Sequence, residues 1–373
     1  MHPTTKFPSN TAAPRGGLAA VGAALVGLLI CATTPAQTPP PRSTAHPATS
    51  HAEHEAPRPI DIPPWFTESF LDFPEEMAEA AKAGKRLLVY VGQDGCPYCR
   101  ELMQTNFSQR AIVEKTRTHF VAIALNLWGD RELTWLDGKK TTEKALAKAL
   151  KVQFTPTLLF IDPASAQIVG RLNGYQPPER FSAALDHVIA RGERRQPLAE
   201  YLAANVKETA RAELNEQPFF LPPPFDLRRK AGSRPLAVLF ETRRCAPCDE
   251  MHQQGFQRPE VQAQLRRLDV LRFALNDRRE VTTPDGRRLT AEAWARELGV
   301  GFTPTLVFFD AAGPASAGRE VFRLDGYTRP FHLATSLEYV AERAWQRQPE
   351  FQRFIRDKAD RLRERGQAVE LWK

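Results

Sequence analysis

At 373 residues and 42% hydrophobic composition, the chain is longer than a typical single domain and can bury two cores. Its 51 Lys and Arg against 44 Asp and Glu leave a net charge of +7, but the two signs are interleaved without a basic block. That pattern argues for a solvated surface and against nucleic-acid binding; nothing resembles a phosphate loop or nucleotide fingerprint, so no organic cofactor is implied.

Lys6 and Arg15 precede an uncharged run from Leu18 to Ala32, which is short for a spanning helix and is followed by small and Pro-rich sequence. The pattern predicts a signal peptide over residues 1–36, cleaved after Thr34-Pro35-Ala36, and so a periplasmic or otherwise exported protein without a stable membrane span. An uncleaved N-terminal anchor is the alternative. Cys31 would leave with the signal, and lipid attachment to it is disfavoured because Ile30 stands where a small residue is expected. Residues 37–64, rich in Pro, Ala, Thr and His, read as an extended tether. His46, His51 and His54 are then solvated tether residues, since no fixed geometry supports a metal site.

Beyond residue 64 the chain repeats itself: 149 positions separate Cys96 from Cys245 and 148 separate Pro156 from Pro304. Leu125-Asn126, Asp137-Gly138, Phe154-Thr155-Pro156-Thr157 and Gly174-Tyr175 recur in the same order as Leu275-Asn276, Asp285-Gly286, Phe302-Thr303-Pro304-Thr305 and Gly326-Tyr327. Each copy predicts an apolar strand (87–91; 236–240), a helix opening at a C-x-x-C pair, a second strand (120–125; 270–275), a polar loop and a helix (142–150; 291–298). Thr-Pro, two adjacent strands and a final helix follow. The third strand, 157–161 or 305–309, is expected to be buried on both faces. Strands alternating with helices indicate an α/β layered domain, over residues 65–192 and again over 225–346. A further helix follows each copy, at 198–214 and 350–365. Residues 193–224 are thus a helix and Pro-rich linker, semi-rigid from Pro218 to Pro224, and residues 347–373 a C-terminal helix whose stripe of Phe351, Phe354, Ile355 and Leu362 packs within the molecule.

With the signal removed, four cysteines remain, all in Cys96-Pro97-Tyr98-Cys99 and Cys245-Ala246-Pro247-Cys248. None is left for a structural framework, so cysteine here serves chemistry. The strand-turn-helix context puts Cys96 and Cys245 at helix N-termini, where free N–H groups and the helix dipole stabilise a thiolate. They are the expected nucleophiles. Cys99 and Cys248, one turn later, are the expected resolving residues that attack a mixed disulfide and release the client. A rival reading groups Cys245, Cys248 and His252, or Cys96, Cys99 and Met103, as soft Cu(I) ligands in a metallochaperone-like module, but on these helices His252 and Met103 more commonly cap or fill a core. One zinc shared by all four cysteines is disfavoured by their domain-length separation, and haem attachment by Asp249 after Cys248. No metal site is assigned. Trp128 and Trp135 are expected to cover a core edge, and His119 and His187 to lie on the surface.

These motifs resemble the thioredoxin superfamily and, more narrowly, exported thioredoxin-like proteins of the SoxW type, through C-P-Y-C, the Leu-Asn loop leading to Asp-Gly, F-T-P-T-L and the Gly-Tyr pair. The resemblance covers most of residues 65–215 and, more loosely, 220–370. It implies two tandem thioredoxin-like domains, each a central mixed sheet flanked by helices. It also implies cis prolines facing the cysteines, so that Thr155, Pro156, Thr303 and Pro304 bind substrate. The implied activity is thiol–disulfide exchange with disulfide-containing client proteins, of the sulfur-oxidation or cytochrome c maturation kind, supplied by a membrane thiol electron donor. The chain departs from the thioredoxin pattern at Gly95 and Arg244, where that pattern has Trp, and at Tyr90 and Leu239, where it has a buried Asp. Glu241 or water is the expected stand-in acceptor in the second domain. Pro247, placed as in reducing thioredoxins, predicts that Cys245/Cys248 is the more reducing pair, with Arg243 and Arg244 opposing this.

Overall fold

The computed structural model describes residues 58–230, 232–310 and 318–369, so the expected signal peptide and the expected tether up to residue 57 lie outside the described residues. Helix α1 (Phe73–Lys82) opens where the Asp72 carboxylate accepts the Glu75 N–H and Pro74 sits in the first turn. The sequence reading lacks this helix, because its buried face amounts to Phe73 and Ala80. The first copy continues through β1 (Arg86–Gly92), α2 (Pro97–Glu101), a π-helical turn at Leu102–Asn106, α3 (Arg110–His119) and β2 (Phe120–Asn126). A small hairpin, β3 (Glu132–Thr134) and β4 (Lys140–Thr142), occupies the expected polar loop. Then come α4 (Glu143–Ala149), β5 (Thr157–Asp162), β6 (Gln167–Asn173), α5 (Pro178–Ile189) and α6 (Leu198–Asn205).

The second copy follows the same plan. It comprises β7 (Leu236–Glu241), α7 (Ala246–Glu250) with its π turn at Met251–Gly255, α8 (Pro259–Leu265), β8 (Asp269–Ala274), β9 (Glu280–Thr282), β10 (Arg288–Thr290) and α9 (Ala291–Glu297). It closes with β11 (Thr305–Asp310), β12 (Arg319–Asp325), α10 (Pro330–Ala341) and α11 (Phe351–Glu364). Each copy builds a four-stranded mixed sheet, β2-β1-β5-β6 and β8-β7-β11-β12, in which the first pair is parallel and the other pairs antiparallel. Strands β1, β5, β7 and β11 are buried along their whole length. This explains their unbroken apolar runs, since helices cover both sheet faces.

Three segments differ from the sequence expectation. Helix α6 stops at Asn205, whose side-chain amide donates to the Tyr201 carbonyl, instead of running to residue 214. The chain beyond leaves the helix because it is held by the second domain: the Arg211 N–H and the Asn215 amide both donate to the Asp249 carboxylate, at 2.7 and 2.6 Å. The Pro-rich linker is also fixed, with the Leu221 N–H donating to the Val270 carbonyl on β8 at 2.8 Å. Residues 58–64, tether by composition, lie against the first C-x-x-C loop, where the Arg58 carbonyl accepts the Gly95 N–H at 2.8 Å. His187 is buried rather than on the surface, its Nε2 within 3.1 Å of the Gln196 carbonyl; α6 folding back over α5 covers it, which helix periodicity alone does not convey.

The domains exchange equivalent residues. Phe154, just before the first Thr-Pro, enters the core of the second domain, 5.1 Å from the Phe351 ring and 5.8 Å from that of Phe322. Phe302, its counterpart, enters the core of the first domain beneath the Arg180 guanidinium, 5.2 Å from the ring. The ends of β6 and β12 are joined by the Asn173 amide donating to the Asp325 carboxylate at 2.7 Å. Reciprocal exchange of this kind is what a twofold-like pairing of two copies produces.

Candidate functional site

The first dithiol sits where β1 ends in the turn Gln93-Asp94-Gly95. Gly95 has φ +74°, and its counterpart Arg244 takes the same left-handed conformation at φ +54°. A residue with a Cβ is disfavoured in that region by about 1 kcal/mol or more, so the turn before the second pair carries strain. Cys96 is the N-cap of α2 and Cys245 that of α7. Cys96 Sγ accepts the Cys99 N–H at 3.1 Å, and Cys245 Sγ accepts the Cys248 N–H at 3.2 Å, which is the helix-terminal donor arrangement the sequence implies. Pro97 and Pro247 fall in the first turn, where a missing N–H costs nothing.

Both Thr155-Pro156 and Thr303-Pro304 are cis and face the sulfurs. The Thr155 hydroxyl and carbonyl each lie 3.4 Å from Cys96 Sγ, and the Thr303 hydroxyl lies 3.8 Å from Cys245 Sγ. The fold therefore brings all eight residues read from the sequence into two four-residue sites. Cys96 and Cys99 are free thiols, and Cys245 and Cys248 form a disulfide.

Access distinguishes the sulfurs of the first pair, for Cys96 is 6% exposed and Cys99 fully buried. Burial and the neighbouring Cys99 push the Cys96 thiol well above its ordinary range. Burial also acts to raise Cys99, but hydrogen bonds from Cys96, Tyr90 and the Gln93 backbone outweigh it and hold Cys99 below the usual thiol value. The more readily lost proton is therefore that of Cys99, against the expectation that the helix N-terminus stabilises a thiolate at Cys96, because burial and Cys99 outweigh the backbone N–H donor. Even so, only Cys96 reaches the surface to attack a client.

Several residues at the site carry no sequence signal. Gln93 donates to the Thr155 hydroxyl at 3.0 Å and to Gln352 of α11 at 2.8 Å, and accepts the Trp128 indole N–H at 2.6 Å. Gln352 in turn donates to the Gln153 carbonyl at 2.8 Å, and the Arg353 guanidinium lies over the Trp128 ring at 5.2 Å. Tyr98, between the first two cysteines, meets the His332 ring of α10 edge-on at 5.3 Å. Over the second pair, the Arg211 carbonyl accepts the Arg244 N–H at 3.0 Å. Long-range pairs between amides have no local pattern, so chain order could not reveal them. The repeated Phe before Thr-Pro was visible, but its destination in the opposite domain was not.

His252 is committed on both ring nitrogens, Nε2 lying 3.0 Å from the Glu241 carboxylate and Nδ1 3.2 Å from the Gln217 amide. Met103 is buried in the first domain's core. Among the described residues, no cluster of three or more His, Cys, Asp or Glu side chains is arranged to hold a metal ion.

A mixed four-stranded sheet, a C-x-x-C pair capping the helix after its first strand, and a cis Thr-Pro facing the sulfurs define a dithiol domain of the thioredoxin-like class, present twice. The chain belongs to the thioredoxin-like domain family, which matches residues 73–189 and again 227–341. Among solved structures, it is similar to a thioredoxin from Thermus thermophilus at 28% identity, covering 32% of this chain and 86% of that one with a TM-score of 0.27. A thioredoxin-fold protein from Helicobacter pylori matches at 24% identity over 32% of this chain and 81% of that one, with a TM-score of 0.28. The alkylhydroperoxide reductase component AhpF from Enterococcus faecalis matches at 13% identity over 74% of this chain and 99% of that one, with a TM-score of 0.25. A search of curated proteins returned no match.

Proposed function

We propose that the chain is an exported thiol–disulfide oxidoreductase that reduces client protein disulfides through mixed disulfides, with a membrane thiol donor restoring its dithiols. The observation that carries this reading is the doubled constellation of a helix-capping cysteine, its N–H donor three residues on, and a cis Thr-Pro within 3.4 to 3.8 Å. In the reductive half, the Cys96 or Cys245 thiolate attacks one sulfur of the client disulfide. A mixed disulfide forms and the other client sulfur leaves as a thiolate that takes a proton. Cys99 or Cys248 then loses its proton and attacks the mixed disulfide, forming the intramolecular disulfide and releasing the second client thiol. Two electrons pass to the client. The same steps run backward describe a dithiol oxidase.

Trapping tests this reading. Cys99→Ser and Cys248→Ser chains cannot resolve the mixed disulfide, so incubation with an exported-protein extract should yield client adducts released by reductant. Reduction of a model disulfide such as insulin by the wild-type chain should persist in the presence of chelators. Absence of adducts from both variants, or activity lost on chelation, would overturn the reading in favour of a metal-binding module.

A further inference from the structure

A side chain of the second domain reaches into the first dithiol site. Gln352, in the first turn of α11, donates from its amide nitrogen to the Gln153 carbonyl and accepts at its amide oxygen from Gln93 Nε2, each at 2.8 Å. Gln153 belongs to the Thr155-Pro156 loop and Gln93 to the turn before Cys96. One amide therefore ties together the two loops on either side of Cys96.

The direction of every hydrogen bond in this chain is fixed by its ends. The Trp128 indole N–H can only donate, so its 2.6 Å contact with Gln93 Oε1 leaves Gln93 Nε2 facing Thr155 and Gln352. The Gln153 carbonyl can only accept, which orients the Gln352 amide in the same sense. Gln93 Nε2 donates to the Thr155 hydroxyl oxygen at 3.0 Å, so the hydroxyl keeps its own hydrogen for Cys96 Sγ, 3.4 Å away. The Thr155 carbonyl, also 3.4 Å from the sulfur, can only accept and favours the Cys96 thiol; the hydroxyl, oriented in this way, favours the thiolate.

The second domain lacks this order. The counterpart of Gln93 is Thr242, whose hydroxyl lies 3.0 Å from that of Thr303, and of two facing hydroxyls either can donate. That pair sets no direction for the Thr303 proton, and Cys245 Sγ is 3.8 Å from the Thr303 oxygen. The contact between helix and loop nevertheless recurs, because the Ala199 N–H at the start of α6 donates to the carbonyl of Gly301, the counterpart of Gln153, at 3.0 Å. A backbone N–H is thus enough to seat an appended helix on the opposite Thr-Pro loop. The Gln352 amide adds a second arm, and that arm leads to Cys96.

We infer that Gln352 and Gln93 are positioning residues that aim the Thr155 hydroxyl at Cys96 and so stabilise its thiolate, which makes the reactivity of the first nucleophile depend on the docking of the second domain. The two amides hold a proton in place and exchange none. This inference rests on the oxidoreductase reading and adds to it that the first site is assembled from both domains.

The test is the pH dependence of Cys96 alkylation by iodoacetamide in the full chain carrying Cys99→Ser, which frees Cys96 from its neighbour's titration, with Cys96 read by peptide mapping. Removing the donor itself by Thr155→Val should raise the midpoint by about one pH unit, about tenfold in the thiolate equilibrium. Gln352→Met and Gln93→Met, which cut the chain further back, should each raise it by about half a unit, about threefold, and neither should add to the effect of Thr155→Val. A role in seating α11 alone would change access, and with it the alkylation rate at high pH, without moving the midpoint. If the wild-type chain reduces insulin but both glutamine variants leave the midpoint unmoved or lower it, or their shifts persist in full beside Thr155→Val, the inference fails and the oxidoreductase reading stands. If the wild-type chain reduces no disulfide, that reading fails and the inference falls with it.

Discussion

Replacing Phe154 by Ala should weaken the union of the two domains more than it weakens the domain to which Phe154 belongs in sequence. The ring is only 6% exposed and lies among residues of the second domain, 5.1 Å from Phe351 and 5.8 Å from Phe322. Removing about 150–200 Å² of buried apolar surface at about 25 cal/mol per Å² corresponds to about 4–5 kcal/mol as an upper value. Partial collapse of the cavity brings the expected loss to about 3–4 kcal/mol. The loss should be localised, because Phe351 opens α11 and α11 carries Gln352, the partner of Gln93 beside the first dithiol. Urea denaturation followed by tryptophan fluorescence measures the total. Amide exchange should show α11 deprotected well before β1, and maleimide should label Cys96 faster than in the wild type. A loss under about 1 kcal/mol, or α11 protection equal to wild type, would refute the claim that this ring anchors the interface.

The remaining expectations concern the sulfurs and buried charge. Cys96→Ser and Cys245→Ser should each abolish redox turnover in their own domain, and brief maleimide treatment of the reduced chain should modify Cys96 before the fully buried Cys99; the reverse order would sink the assignment. Burial holds His332 down to about 4, so it stays neutral in the folded chain while the unfolded chain takes up a proton near pH 6.5. Stability from this source is complete above about pH 6.5 and declines by about 3 kcal/mol as pH falls to 4. His332→Phe should flatten that part of the urea-midpoint profile, and an unchanged slope would count against it. Asp162 is buried with Arg86 at 3.5 Å and Arg191 at 3.1 Å, so Asp162→Ala leaves the buried Arg86 guanidinium with one carboxylate, Glu193, and the Val188 carbonyl, both at 2.8 Å, and should cost about 3 kcal/mol in calorimetric or denaturant unfolding. A loss below about 1 kcal/mol would show that solvent reaches Arg86.

The two-copy organisation, the α/β layering and both dithiols were legible in the sequence, because they rest on local signals. A 149-residue repeat, apolar runs that stay buried on both faces and C-x-x-C after a strand each survive in a linear string. The small hairpins β3–β4 and β9–β10 were not legible, since three-residue strands have too few alternations to stand out from a polar loop. Where α6 ends was likewise decided elsewhere, by the Asp249 carboxylate of the second domain drawing residues 211 and 215 out of the helical path. The chemistry divides the same way. The sequence by itself determined which residues are cysteines, where they cap helices, and that Thr-Pro recurs about 60 residues later. Only the tertiary structure decided that Phe154 and Phe302 cross into opposite cores and that Gln93 is held by Gln352. Helix caps and strand faces are set by neighbours a few residues away, whereas these contacts join positions separated by tens to hundreds of residues and are fixed only when the two domains pack.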